Sequence, residues 1–154
     1  MCICRRMPKK ACSEANNDLF QAPSDGTLPM LYKTCHLVEV ILARECPSVF
    51  NIFRLSGFPA SQVIYHWFSQ CLWNYLDWSG VLDYLFVVML HGPAYQVFMG
   101  VALLRYIGPC LRRAMQEEPI YGFNITEHLS FLHKLNATYG VQVNEALKRP
   151  LEIS

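Results

Sequence analysis

The chain has 154 residues, enough to bury one sizeable core, and 53% of them are hydrophobic against 16% charged. That balance excludes a disordered polypeptide over most of its length and suits a packed domain with a face that wants a partner. Thirteen basic and 12 acidic residues give a net charge of +1, and beyond the first ten positions they are well mixed, so no basic field points to nucleic acid.

Seven cysteines, Cys2, Cys4, Cys12, Cys35, Cys46, Cys71 and Cys110, form an odd set without a CxxC pair. This pattern fits a reducing, cytoplasmic setting. The basic start is followed by Pro8, Lys9 and Lys10 and the polar run from Ser13 to Asp18 rather than by the apolar stretch of a signal peptide, so secretion is not expected. The sequons at Asn124 and Asn136 are then expected to stay unmodified.

Residues 1–28 mix Cys, Pro, Asn, Ser, Asp and Gly without a sustained period, and are expected to form a disordered leader. From Leu31 the texture changes. Leu37, Val38, Ile41 and Leu42 share one face of a first helix, with Thr34 as an available cap and Pro47 ending the run. Pro47 suits the first turn of a short second helix carrying Val49, Phe50, Phe53 and Leu55, closed by Gly57 and Pro59.

Ser61 opens the most regular stripe, with Val63, Ile64, Trp67, Phe68, Cys71 and Leu72 on one side and Gln62, Tyr65, Ser69 and Asn74 on the other. Trp67 and Phe68 are therefore expected in the core. Asp77 can cap the next helix, from Trp78 through Val81, Leu82, Leu85, Phe86 and Met89 to Leu90, which is apolar nearly all round and so expected to be central. Gly92-Pro93 breaks it. A long helix follows with Val97, Phe98, Val101, Leu104 and Leu111 inward, and Gly108-Pro109 should kink or split it.

After Pro119 a loop containing Gly122 leads to Thr126, a further candidate cap, and to a helix bearing Leu129, Leu132 and Leu135. Beyond Gly140 the sequence turns polar, so residues 141–154 are expected to be a tail and residues 29–140 the folded domain. No stretch alternates as a strand does; the fold class is all-α. Leu85 to Leu104 lacks charge for long enough to span a bilayer, but His91-Gly92-Pro93 and Gln96 fall in its middle, and a soluble hairpin of two helices explains the same letters.

The order Ile64-Tyr65-His66-Trp67-Phe68, Tyr75-Leu76-Asp77, Leu82 to Leu90, His91-Gly92-Pro93, and Phe98 with Val101 to Leu104 resembles the second lobe of TBC (Rab GTPase-activating) domains over about Leu37 to Leu111. The family residues this carries over are Trp67, Phe68, Asp77, Gly92 and Pro93, all structural. Leu85-Phe86 stands where family members usually carry Trp-Asp. The arginine of an I-x-x-D-x-x-R motif and the glutamine of Y-x-Q, which stabilise charge and position the attacking water in activating members, have no counterpart in these residues. Tyr95-Gln96 has the wrong spacing to supply the glutamine.

Within the family, Asn74 to Trp78 and Gly92 to Val97 look most like the broad-minded subfamily, ciliary members with a degenerate catalytic domain. The resemblance implies a scaffold in cilium assembly and Hedgehog signalling, or in Rab-linked trafficking, with a Rab-type GTPase or a ciliary kinase as partner and without cofactor. The alternative it implies is one part of a Rab GTPase-activating protein whose arginine and glutamine lie elsewhere in a longer product. Such a lobe would expose apolar surface on its first two helices.

The five histidines form no metal motif, since His128 and His133 stand at i, i+5, about 140° apart on a helix. No nucleophile elbow or phosphate loop is present, so enzyme chemistry has no foothold. Cys2 and Cys4, beside Arg5, Arg6, Lys9 and Lys10, are candidate palmitoylation sites for peripheral membrane attachment; an unstructured leader is the simpler reading of so short a pattern.

Overall fold

A computed structural model describes residues 30–108 and 120–149. Six helices account for nearly all of them: α1 (Met30–Glu45), α2 (Pro47–Ser56), α3 (Ala60–Ser69), α4 (Trp78–His91), α5 (Pro93–Ile107) and α6 (Ile125–Lys148). No strand occurs among the described residues, and the all-α expectation holds. The leader with Cys2 and Cys4, and Leu111 on the expected inner face of the fifth helix, lie outside the described residues.

The molecule is organised around two helices. α5 packs against α1, α4 and α6, while α1 packs against α2, α3, α5 and α6. From Ala94 to Leu104 every residue of α5 except Gln96 is buried. Small residues let its neighbours approach: a Cβ added at Gly100 would come within 2.8 Å of Val38 on α1 and 3.2 Å of Phe68 on α3. The helix expected to be central, α4, is not. It buries only Gly80, Val81 and Tyr84 fully and leaves its other apolar face in solvent. Both helices lack a polar stripe, and the chain has room for one at the centre; α5 takes it because its alanines and glycine permit contact on all sides, whereas α4 is thick with Trp78, Phe86 and Met89.

Several boundaries differ from the sequence expectation for local reasons. Thr34 is not a cap: it lies one turn inside α1, buried, and its hydroxyl donates to the Met30 carbonyl at 3.0 Å. α3 begins at Ala60 after Pro59 and stops at Ser69, and Cys71 and Leu72 continue in the left-handed region (φ 49° and 60°). That turn drives Leu72 into the core and leaves Cys71 exposed. Gly57 closes α2 in the left-handed conformation, as expected, but Leu55 points into solvent.

α5 is described through Ile107, just before the Gly108-Pro109 pair expected to kink or split the helix. The cap of α6 is Asn124, not Thr126; the Asn124 Oδ1 accepts from the Thr126 backbone N–H at 3.0 Å. The tail expected from residue 141 is instead the last two turns of α6, through Lys148. Val143 and Leu147 carry on the buried stripe of Leu132 and Leu135 past Gly140, which is itself buried. The end of α6 is held to α1 by Lys33, whose ammonium donates to the Arg149 carbonyl at 2.6 Å, a favourable place for a cation at a helix C-terminus.

At the other end of α1, Lys134 of α6 donates to Glu45 Oε2 at 2.8 Å and the Tyr139 hydroxyl donates to Oε1 at 3.0 Å. The lysine hydrogen bond, chiefly, holds the Glu45 carboxyl below its ordinary pKa, against the opposing effect of partial burial. A depressed carboxyl contributes stability above its unfolded pKa and loses it as pH falls through the folded value. Wild type should therefore be more stable than Glu45→Gln at neutral pH, with the difference closing on acidification below about pH 4. Urea titrations at stepped pH test this.

The placing of the two apolar helices makes a second prediction. Leu103→Ala in α5 should cost about 2–5 kcal/mol of unfolding free energy and Leu90→Ala in α4 at most about 0.5 kcal/mol, read by urea unfolding at low protein concentration.

Candidate interaction surface

The sequence-singled residues Trp67, Phe68, Asp77, Gly92 and Pro93 do not converge on a reactive centre. They converge on the mounting of α4. Trp67 and Phe68 are buried side by side on α3. The Trp67 ring meets Tyr75 at 5.7 Å, in the turn leading to α4, and Phe68 stacks on Tyr84 of α4 at 6.0 Å with the planes 17° apart. Asp77 starts α4: its Oδ1 accepts from the Gly80 backbone N–H at 2.9 Å, the N-cap the sequence suggested.

Gly92 ends it at φ 86°, ψ 179°, a conformation essentially closed to residues with a Cβ, and Pro93 occupies the first turn of α5. Tyr84 is fixed further by Gln96, whose Nε2 donates to the phenolic oxygen at 3.0 Å. Burial pushes the Tyr84 hydroxyl up to about 12. Gln96, set aside as a catalytic glutamine, thus clamps α4 to α5.

The face of α4 held outward by this frame is largely apolar, with Ser79 and Asp83 among its exposed polar residues. Trp78, Phe86, Met89 and Leu90 are 59%, 59%, 80% and 78% exposed, Leu85 lies with them, and Leu82 is half-buried between. Trp73, exposed in the preceding turn, packs edge-on against Trp78 at 5.1 Å and extends the patch. At 100° per residue, Trp78, Leu82, Leu85 and Met89 form one line along the helix, roughly 100° round from the inward residues Val81, Tyr84 and Val88. The sequence reading saw these apolar letters but assigned them to the core. It placed the exposed surface on the first two helices, and these do expose Met30 and Val40 on α1 and Ile52 and Leu55 on α2.

Two adjoining clefts of 480 and 430 Å3 share Glu45 and Arg105; Val49 and Ile52 line the first, Phe131 and Lys134 the second. The Arg105 guanidinium lies 4.3 Å from the Phe131 ring centre, a cation–π contact. With Glu45 engaged by Lys134 and Tyr139, the clefts present no general base beside a nucleophile. Burial raises the thiols of Cys35, to about 12, and of Cys46, which keeps both protonated. Among the described residues no group of three or more His, Cys, Asp or Glu is placed to hold a metal, and no helix is long and apolar enough to cross a membrane. The uncharged stretch from Leu85 to Leu104 is divided at Gly92 into α4 and α5.

The family model described as the broad-minded protein Rab TBC domain matches residues 19–149. The chain belongs to this family. It is 38% identical over 120 residues to protein broad-minded of Danio rerio and 32% identical over 123 residues to protein broad-minded of Mus musculus. These alignments cover 72% and 74% of the chain but 9% and 10% of the relatives, so the chain spans about a tenth of the length of the proteins it matches. No solved structure matches it. The family match reaches well beyond Leu37 to Leu111, into residues read from sequence as leader and tail, in keeping with an α6 that runs to Lys148.

If the TBC-type residues serve to mount α4, their loss should be structural and graded. Asp77→Ala should cost about 1 kcal/mol through the lost cap, with Asp77→Asn recovering most of it, as measured by thermal unfolding.

Proposed function

We propose that this chain is a non-catalytic TBC-like interaction module that holds a protein partner on the outward face of α4. The observation that carries the reading is the row Trp78, Leu85, Phe86, Met89 and Leu90, a large apolar surface kept in solvent by a well-defined frame. Surfaces of this kind are costly to leave bare, and in folded domains they mark docking sites. The chemistry supports the same side: neither the I-x-x-D-x-x-R nor the Y-x-Q pattern occurs in the 154 residues, and Gln96 is engaged with Tyr84.

The partner classes this reading names are a Rab-type small GTPase or a ciliary kinase. The setting it names is the cytoplasm and the cilium, with roles in cilium assembly and Hedgehog signalling or in Rab-linked trafficking. Peripheral membrane association would fall to Cys2 and Cys4. The rival reading makes the chain one part of a Rab GTPase-activating protein whose arginine and glutamine lie elsewhere in a longer product, and the span of a tenth of its relatives favours keeping it in view.

Single-turnover GTP hydrolysis across a Rab panel tests the non-catalytic claim. Activating proteins that supply an arginine finger accelerate the reaction by about 10³–10⁵-fold. The chain should leave every Rab at its intrinsic rate, and acceleration of even one by orders of magnitude would refute the proposal.

A further inference from the structure

The α4 face has the spacing of a helix-pairing seam, and its two ends match each other. Trp78, Leu82, Leu85 and Met89 follow one another at intervals of four, three and four, the d-a-d-a pattern with which two helices interlock. Turned end for end, the pattern maps onto itself: 78 falls opposite 89 and 82 opposite 85. From these positions we infer that the chain forms a two-fold symmetric dimer in which α4 packs antiparallel against α4 of a second copy. The inference rests on the α4 surface of the proposed function, not on the absence of catalysis, and assigns that face to a second copy of the chain; a GTPase or kinase partner would then meet the dimer on its remaining surface.

Four features favour a second copy. Shape is the first: each bulky Trp78 meets a slender, flexible Met89 of the other copy, a sulfur–aromatic pairing, and the two leucines meet at the centre. Area is the second. Trp73, Trp78, Phe86, Met89 and Leu90 are each more than half exposed and Leu85 is 38% exposed, a contiguous apolar face beyond the singly scattered side chains of an ordinary surface and of the kind a stable interface buries. Charge is the third, because Trp78, Leu82, Leu85 and Met89 carry none, and Asp83, exposed on the same helix, lies roughly 130° round from them. Direction is the fourth: antiparallel helices place opposite ends of their dipoles side by side.

Such a dimer makes residue 82 of each chain the neighbour of residue 85 of the other, which allows a test that misfolding cannot imitate. Sedimentation of the 154-residue chain between about 1 and 100 μM should show mass rising from that of one chain, 17.7 kDa, toward twice that value. Leu82→Lys alone and Leu85→Glu alone should each weaken self-association by at least about 100-fold, since each buries two unpaired charges. Mixed in equal amounts, the two variants should recover a dimer, because the ammonium introduced at position 82 of one chain then meets the carboxylate introduced at position 85 of the other. Wild type that stays at the monomer mass at the highest concentration, single variants that associate as wild type does, or a mixture no heavier than its parts would each overturn the inference. Rab stimulation would refute the non-catalytic reading and leave the dimer standing; a monomeric wild type would do the reverse.

Discussion

A helix that is apolar on every side gains most where every side is covered, and the arrangement of this domain follows from giving α5 that place. α1, α4 and α6 close around it. The closeness of that packing comes from side chains too small to hold neighbours apart, as at Gly100 against Val38 and Phe68. The cost of ordering α5 is offset by its burial, at about 25 cal/mol per Å2 of apolar area removed from water, and almost no polar side chain is taken inside with it.

That choice has a consequence for α4. It is joined to α5 by a turn at Gly92 that fixes its direction, and clamped on its inner side by Phe68 against Tyr84 and Gln96 on Tyr84. The frame settles which stripe of α4 faces inward, and most of the apolar side chains on the rest of the helix have no cover among the described residues. Polar side chains there would have made α4 an ordinary amphipathic surface helix. The sequence instead places Trp78, Leu85, Phe86, Met89 and Leu90 outside, and the interaction reading and the self-association inferred above both grow from this one excess.

The sequence was most readable where its pattern was most one-sided. α1, α3 and the first half of α6 each show a single apolar stripe, and their core residues, Val38, Ile64, Trp67, Leu132 and Leu135 among them, are where periodicity put them. Asp77 and Gly92 were readable because a cap and a glycine turn are local chemistry. Which of two stripeless helices lies at the centre was not, because that depends on how many neighbours each can admit, and the clue lay in residue size: Ala94, Gly100 and Ala102 in one, Trp78 and Phe86 in the other. The end of α6 was missed for the converse reason. A glycine at 140 read as a stop, while the stripe resumed beyond it at Val143 and Leu147, where burial outweighs the roughly 1 kcal/mol that glycine costs a helix.

The residues that carry the likeness to TBC domains are those that build and aim α4. This separates two properties of the family. A lobe can keep Trp67, Phe68, Asp77, Gly92 and Pro93, and with them the helix they mount, under the demands of folding alone, whether or not an arginine and a glutamine are supplied. Family membership here is therefore a statement about packing, and function has to be argued from what the packing leaves exposed. On α4 that is the uncharged line of Trp78, Leu82, Leu85 and Met89, a surface whose chemistry suits burial against another apolar surface.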